Sequence, residues 1–433
     1  MLRYIFYIFI ILIFIIPCNA EILSASLGIE QSATDKIKTE TIDIAPDITT
    51  KPEQPLIGAA SAVLMDSNTG KVLYSKNPHT RRPNASTTKI MTAILLIEHC
   101  DMADIITASK NASETPYTSI HLKPGEKILA KDILMGLMIR SANDAAVAIA
   151  EHISGSTTQF AKLMNERVKQ IGCMDTNFVT PNGLHHDNHY SSAYDLCLMA
   201  RHAFKYPIFN EVVSTKKYTL ESRTMNREDL TVFSKSKFLK EYPGADGVKS
   251  GYVKQARYCY VGSATRNNWR LVSAVLRSEN SNDDTAKLMD YGFKYFKPHT
   301  IIKNGDVIEN VKVHGLLGEE LALVAKDDLK IVVSKTGSRI TQTTKLKKVT
   351  APVIKGEKIG FVTVEVDGEY AGSVALYADR DIEYVISKKS FPWIAVGGVF
   401  SACVLIGGKY GAIAKSSCQR RRRLKKILRK TNR

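Results

Sequence analysis

Cysteine is scarce in the body of this 433-residue chain: of seven in all, only Cys100, Cys173, Cys197 and Cys259 fall between the two apolar ends. They are widely spaced and none sits in C-x-x-C, which excludes a disulfide-stapled scaffold and a cysteine metal ribbon and leaves four buried thiols. H-E-x-x-H is absent as well. His185, His186 and His189 cluster in a stretch rich in Gly, Asn and Asp, with no second set of ligands, and read as structural or surface histidines; no metal or cofactor is expected. No internal repeat is present, so a solenoid is excluded. Acidic residues are missing from 409–433, where eleven Lys or Arg are packed, and charge of either sign is missing from 391–408.

Those last two absences describe the ends. MLRYIFYIFIILIFIIPCNA has a basic residue at Arg3, an apolar stretch and small residues at Cys18 and Ala20, the pattern of a secretory leader over 1–20. Pro17 argues against lipidation of Cys18. FPWIAVGGVFSACVLIGG, at about 1.5 Å per residue, reaches about 27 Å and is expected to span a bilayer over 391–408. The cations after it mark the cytoplasmic side, which places the bulk of the chain outside, held at the cell membrane by its tail. Formal net charge is +17, and without the eleven tail cations and Arg3 about +5 remains. The basicity is therefore topological, and nucleic acid is not an expected partner.

Between the ends, residues 21–55 show no sustained periodicity and read as a polar spacer. AASAVLMD and KVLYSKN flank the turn Ser67-Asn68-Thr69-Gly70 and predict a hairpin. After Ser86 comes a helix apolar all round, then DILMGLMIR, a break at Ser141-Ala142-Asn143-Asp144, and more helical spacing ending at Gly172. YCYVGSA and RLVSAVL, joined through Arg266-Asn267-Asn268, predict a second hairpin, and Asp283–Phe296 a closing helix. Hairpins, helices, then strands predict an α+β domain over 56–298 with helices on a largely antiparallel sheet. Short Val-rich runs over 299–388 predict a small all-β domain.

NASTTKIMTA is the stretch that carries chemistry. Serine at a helix start is ordinarily an N-cap. Lys89, however, lies one turn on, within reach of the Ser86 hydroxyl, in a helix too apolar to hold a stray ammonium cheaply. A lysine acts as a base only when its pKa is lowered, which burial and a second cation achieve, so another lysine is required nearby. RSANDA offers Ser141 and Asn143 between two helical stretches, at an exposed corner that can aim side chains into a cleft. PGADGVKSGY offers Lys249, Ser250 and Gly251, the glycine leaving the strand open to a ligand. S-x-x-K, S-D-N and K-T-G occur together in β-lactamases and penicillin-binding proteins. A literal Lys335-Thr336-Gly337 competes with Lys249-Ser250-Gly251, but it sits among short strands of the other module.

On these motifs, residues 56–298 resemble the low-molecular-mass penicillin-binding proteins that act as serine D-alanyl-D-alanine carboxypeptidases. The likeness is carried by NASTTKIMTA, LKPGEKILAKDILMGLMIRSANDAAVAIAEHI, FVTPNGLHHDNHYSSAYDL and YPGADGVKSGYVKQARYCYVGSATR. It implies a penicillin-recognising, β-lactamase/transpeptidase-like domain, followed by the all-β domain and the membrane helix. It also implies roles: Ser86 as acylated nucleophile, Lys89 as general base, Ser141 as proton relay, and Asn143 holding the substrate amide. Lys249 would supply the second cation, Ser250 would bind the terminal carboxylate, and the N–H groups of Ser86 and Tyr252 would form the oxyanion hole. The peptide would run along the strand of Gly251. Arg277 is a candidate for an added grip on the carboxylate. The family more often has glycine at Ala142 and threonine at Ser250. The expected substrate is the peptidoglycan stem peptide and the expected inhibitors are β-lactams. The rivals are a β-lactamase and a silent wall-binding protein.

Overall fold

The computed structural model describes residues 36–225, 230–314 and 319–383. The leader, the span at 391–408 and the tail at 409–433 lie outside the described residues. No helix among the described residues is long and apolar enough to cross a membrane.

The first element corrects the sequence reading. Within the expected spacer 21–55, β1 (Lys36–Ile44) pairs antiparallel with the strand Ser338–Leu346, from Lys36↔Leu346 to Ile44↔Ser338. Its side chains are almost all exposed, so no alternation of polarity marks it. Backbone hydrogen bonding holds it, and its Lys and Glu residues suit a sheet edge.

The catalytic-size domain is built on a five-stranded antiparallel sheet. β2 (Ser61–Asp66) and β3 (Val72–Lys76) form the predicted hairpin. Two short ladders, β4 (Ile105–Thr107) with β5 (Lys127–Leu129) and β6 (Lys217–Thr219) with β7 (Thr231–Phe233), brace the helical side. β8 (Ala245–Val253), β9 (Arg257–Arg266) and β10 (Trp269–Ser278) complete the sheet in the order β3-β2-β10-β9-β8. Asn267 and Asn268, at φ 49° and 60°, turn the β9–β10 hairpin in the left-handed region that such tight loops require and asparagine tolerates. β2 is buried on both faces. Val63 and Met65 face one apolar core, Ala62 and Leu64 another, as the two-residue period of a strand dictates.

In the first core lies α1 (Lys89–His99), buried from Lys89 to Leu96. Around it pack α2 (Asn143–Ser154), α3 (Thr157–Ile171) and α4 (Ala193–Ala203). Gly172 caps α3 at φ 95°, as its position in the sequence predicted. α5 (Ser281–Tyr295) covers the opposite face of the sheet with Leu288 and Met289.

The all-β domain begins at Phe296, directly out of α5. β11 (Phe296–Ile302) pairs with β14 (Leu329–Ser334). β12 (Val307–Lys312), β13 (Glu320–Ala325), β15 (Ser338–Leu346), β16 (Lys358–Val366) and β17 (Glu369–Ala378) join β1 in a sheet ordered β1-β15-β16-β17-β13-β12. Lys36 of β1 pairs with Glu309 of β12, at the far end of that order, so the sheet curls toward closure. Leu321, Leu323, Ile340, Val362, Val364 and Leu376 fill it.

Candidate active site

Ser86 does not cap its helix. Ala85–Thr88 forms a 3-10 turn ahead of α1, with Ala85 at φ 49°. In such a turn residues i and i+3 eclipse, which stacks Lys89 over Ser86. Lys89 Nζ lies 3.0 Å from Ser86 Oγ, and donates to Asn143 Oδ1 at 2.7 Å and to the Asn182 carbonyl at 2.8 Å. The turn is held from beneath. Asn84 Nδ2 donates to Thr87 Oγ1 and Thr88 Oγ1, and Thr88 Oγ1 donates to the Ala85 carbonyl at 2.8 Å. His189 is buried, with Nε2 2.8 Å from Thr88 Oγ1 and Nδ1 accepting the Val179 N–H at 3.0 Å. Burial, the main cause, drives its pKa down to about 3, so the neutral ring meets the turn through Nε2 and anchors the 179–180 backbone through Nδ1.

Lys89 is fully buried, and its pKa is held well below the ordinary amine value. Desolvation is the main cause, Lys249 adds to it, and Asp144 opposes. Lys249, on β8, is also buried, and desolvation pushes it down to about 7; its Nζ donates to the Ser250 carbonyl at 3.0 Å. β8 is the edge strand of its sheet, and Ser250, Gly251 and Tyr252 follow along it. The room that Gly251 leaves is taken by the nucleophile turn, because a Cβ there would lie 2.8 Å from Ser86 N.

Ser86, Ser141, Asn143, Lys249, Ser250, Gly251 and Tyr252 all line one cleft of about 910 Å³. Lys89 reaches it from the floor through Ser86. The corner at 141–143 is not exposed as expected. A π-helical turn, Gly136–Arg140, ends at Ser141 in the left-handed region at φ 66°, and this turns Ala142 and Asn143 inward, where both are buried. Asn143 uses both ends of its amide inside the protein, Oδ1 on Lys89 and Nδ2 on the Pro116 carbonyl at 2.8 Å. Among the described residues, Ser141 has no hydrogen bond to Lys89 or Lys249. Arg277 lies exposed at the β10 bulge and is not part of the cleft lining. Lys335 stands in the turn after β14, with Nζ donating to the Phe293 carbonyl at 2.8 Å.

Sequence reasoning assigned no role to Asn182 or Gly183, and it read His189 as a structural or surface histidine, of which the structure bears out the first. Pro181-Asn182-Gly183 was a legible turn signal, but nothing local says that its carbonyl ends on Lys89. Gly183, at φ 82°, leaves the gap into which the Ala85 carbonyl fits; a Cβ would lie 2.0 Å from that oxygen.

Comparison with known proteins agrees with this geometry. Residues 48–280 match the peptidase S11 family, D-alanyl-D-alanine carboxypeptidase, and residues 296–384 match the C-terminal domain of penicillin-binding protein 5. The chain is 34% identical over 336 residues to the D-alanyl-D-alanine carboxypeptidase DacF of Bacillus subtilis, covering 75% of this chain and 86% of that protein. It is 32% identical over 367 residues to DacA of Haemophilus influenzae, covering 80% and 92%. The crystal structure of penicillin-binding protein 5 from Haemophilus influenzae superposes with a TM-score of 0.67 at 30% identity, covering 76% of this chain and 99% of that one. The Streptomyces K15 DD-transpeptidase gives 0.52 at 33% identity, covering 56% and 99%. With relatives aligned along most of their own length and the match spanning both domains, the chain belongs to the D-alanyl-D-alanine carboxypeptidases, serine hydrolases of the penicillin-binding class that act in peptidoglycan metabolism.

Proposed function

We propose that the terminal D-alanine of a peptidoglycan stem pentapeptide is removed through an acyl-enzyme on Ser86. The observation that carries this reading is the buried Lys89 amine 3.0 Å from the Ser86 hydroxyl, kept proton-poor by desolvation and by Lys249. A neutral amine spends its two N–H bonds on Asn143 and Asn182 and turns its lone pair to the Ser86 O–H. Lys89 takes that proton as Ser86 Oγ attacks the penultimate carbonyl. The Ser86 and Tyr252 N–H groups bear the developing oxyanion. Ser141 passes a proton to the departing amine, Lys249 and Ser250 hold the free carboxylate, and the stem peptide adds along the open edge of β8. Asn143 fixes the lysine and meets the substrate amide as the cleft fills. Water then releases the acyl group with Lys89 as base again, since no Asp or Glu lines the cleft among the described residues.

β-Lactams acylate the same serine as mimics of the substrate. Incubating the chain with a labelled penicillin is expected to give a long-lived adduct on the peptide that contains Ser86. An adduct on another residue removes the mechanism, and rapid turnover of the drug favours a β-lactamase instead. Export and tethering by the tail belong to the same reading, supported by the leader at 1–20 and by the apolar run 391–408 with its following cations. The catalytic domain would then face the wall from the outer side of the cell membrane.

Gly183→Ala tests how tightly the nucleophile turn is placed. The added methyl collides with the Ala85 carbonyl, and the turn must shift by about an ångström, a displacement that lowers reaction rates by about 100-fold. The acylation rate with labelled penicillin measures it. An unchanged rate would show that the turn is held in place without this contact.

A further inference from the structure

The mouth of the cleft carries a feature that the chemistry at Ser86 does not use. Tyr117 is 82% exposed and has a backbone φ of 72°. A bulky residue rarely adopts that region, and such strain persists only where the surroundings impose it. Here Asn143 imposes it. Its Nδ2 donates to the Pro116 carbonyl at 2.8 Å and its backbone N–H to the Thr118 carbonyl at 2.7 Å. The residues on either side of Tyr117 are thus held by the residue that holds Lys89.

The rest of the loop is pinned as firmly. Asp144 accepts from Ser119 Oγ at 2.6 Å and from the Leu122 N–H at 3.0 Å, and the buried Arg223 donates to the Ile120 carbonyl at 2.7 Å. The Tyr117 ring itself has no hydrogen-bond or ring partner among the described residues. It is displayed by a rigid loop and serves no core.

Two more tyrosines line the same cleft from the sheet side. Tyr252 of β8 and its register partner Tyr258 of β9 are 58% and 49% exposed, with ring centroids 4.8 Å apart. Exposed rings gathered at the mouth of an active site mark a contact surface.

We propose that Tyr117, Tyr252 and Tyr258 form a saccharide subsite that receives the sugar to which the stem peptide is attached. The inference rests on the reading that Ser86 takes the end of that peptide. The four residues between the scissile bond and the sugar span about 14 Å when extended, with the link to the sugar added to that, a reach that brings the sugar to the mouth of the cleft. Flat rings with hydroxyl tips suit a neutral sugar, whose C–H face packs on the ring while its hydroxyls meet the phenol. They carry no charge of their own to favour the peptide's carboxylates over a neutral ring.

The test compares kcat/KM for D-alanine release from three substrates: an N-acylated tripeptide ending in D-Ala-D-Ala, a sugar-free pentapeptide, and the same pentapeptide on its disaccharide. Tyr117→Gly removes the ring while relieving the backbone, and Tyr258→Ala removes a ring from the other lip. Both are expected to lose about three- to tenfold on the disaccharide substrate, mainly in KM, and to match the unaltered chain on the other two. Equal loss on all three would make the loop merely structural and overturn the proposal. So would no loss on any substrate, or a loss that already appears with the sugar-free pentapeptide. Failure of the Ser86 reading would be seen separately, as tripeptide hydrolysis that survives Ser86→Ala.

Discussion

Lys89→Ala is expected to lower D-alanine release from a pentapeptide by about four orders of magnitude or more, with Ser86→Ala as damaging and the double variant no worse. The two groups act as one unit: without the amine the Ser86 hydroxyl keeps its proton, and without the hydroxyl the amine has nothing to activate. Lys89→Arg should not rescue, because a guanidinium stays charged and cannot accept the proton. Single-turnover release of D-alanine and the rate of penicillin labelling both report the step. If Lys89→Ala kept more than about 1% of the rate, the base would lie elsewhere and the central geometry would be incidental.

Lys249→Ala is expected to reduce kcat/KM by about 100- to 1000-fold, whereas Lys335→Ala leaves it unchanged. The first removes both the grip on the substrate carboxylate and the charge that keeps Lys89 proton-poor. The second touches a lysine whose Nζ is bonded to the Phe293 carbonyl, outside the cleft lining. The reverse outcome would move the site to the literal motif at 335–337.

The pH profile carries the same argument with a definite sign. Activity rises as Lys89 loses its proton, and that happens below the ordinary amine range because burial and Lys249 disfavour the charged form. It falls again as Lys249, lowered to about 7 by burial, loses its own. Without the charge at 249, the Lys89 pKa climbs back, so the rising limb of Lys249→Met moves to higher pH. A bound carboxylate favours charged Lys249, so the falling limb of kcat should lie above that of kcat/KM. A rising limb that stayed in place in Lys249→Met would show that the two lysines do not sense each other.

Much of the fold was legible because its signals are local. The Asn267-Asn268 turn, the Gly172 cap and the uniformly apolar α1 each declare themselves within a few residues. β1 did not, because an edge strand with both faces exposed has no polarity pattern to read. β15 does alternate in burial, but Ser338 and Thr344 among its buried positions are polar, so composition hid the alternation. That the corner aims side chains into a cleft was legible; that Ala142 and Asn143 are buried there was not, because a π-helical turn shifts the phase of the helix without any change in composition.

By itself the amino-acid sequence determined the class of the protein, the ordered motifs, and the pairing of Ser86 with Lys89, since one turn of backbone dictates that neighbourhood whatever surrounds it. Only the tertiary structure decided what makes the pair reactive. Asn143 and the Asn182 carbonyl come to Lys89 from 54 and 93 residues away. Gly183 and Gly251 clear space for a turn distant in the chain, and the cation that acts on Lys89 is Lys249, with Lys335 left in the other domain. Desolvation and charge proximity depend on what packs around a group in three dimensions, and short spacings along a chain do not encode that.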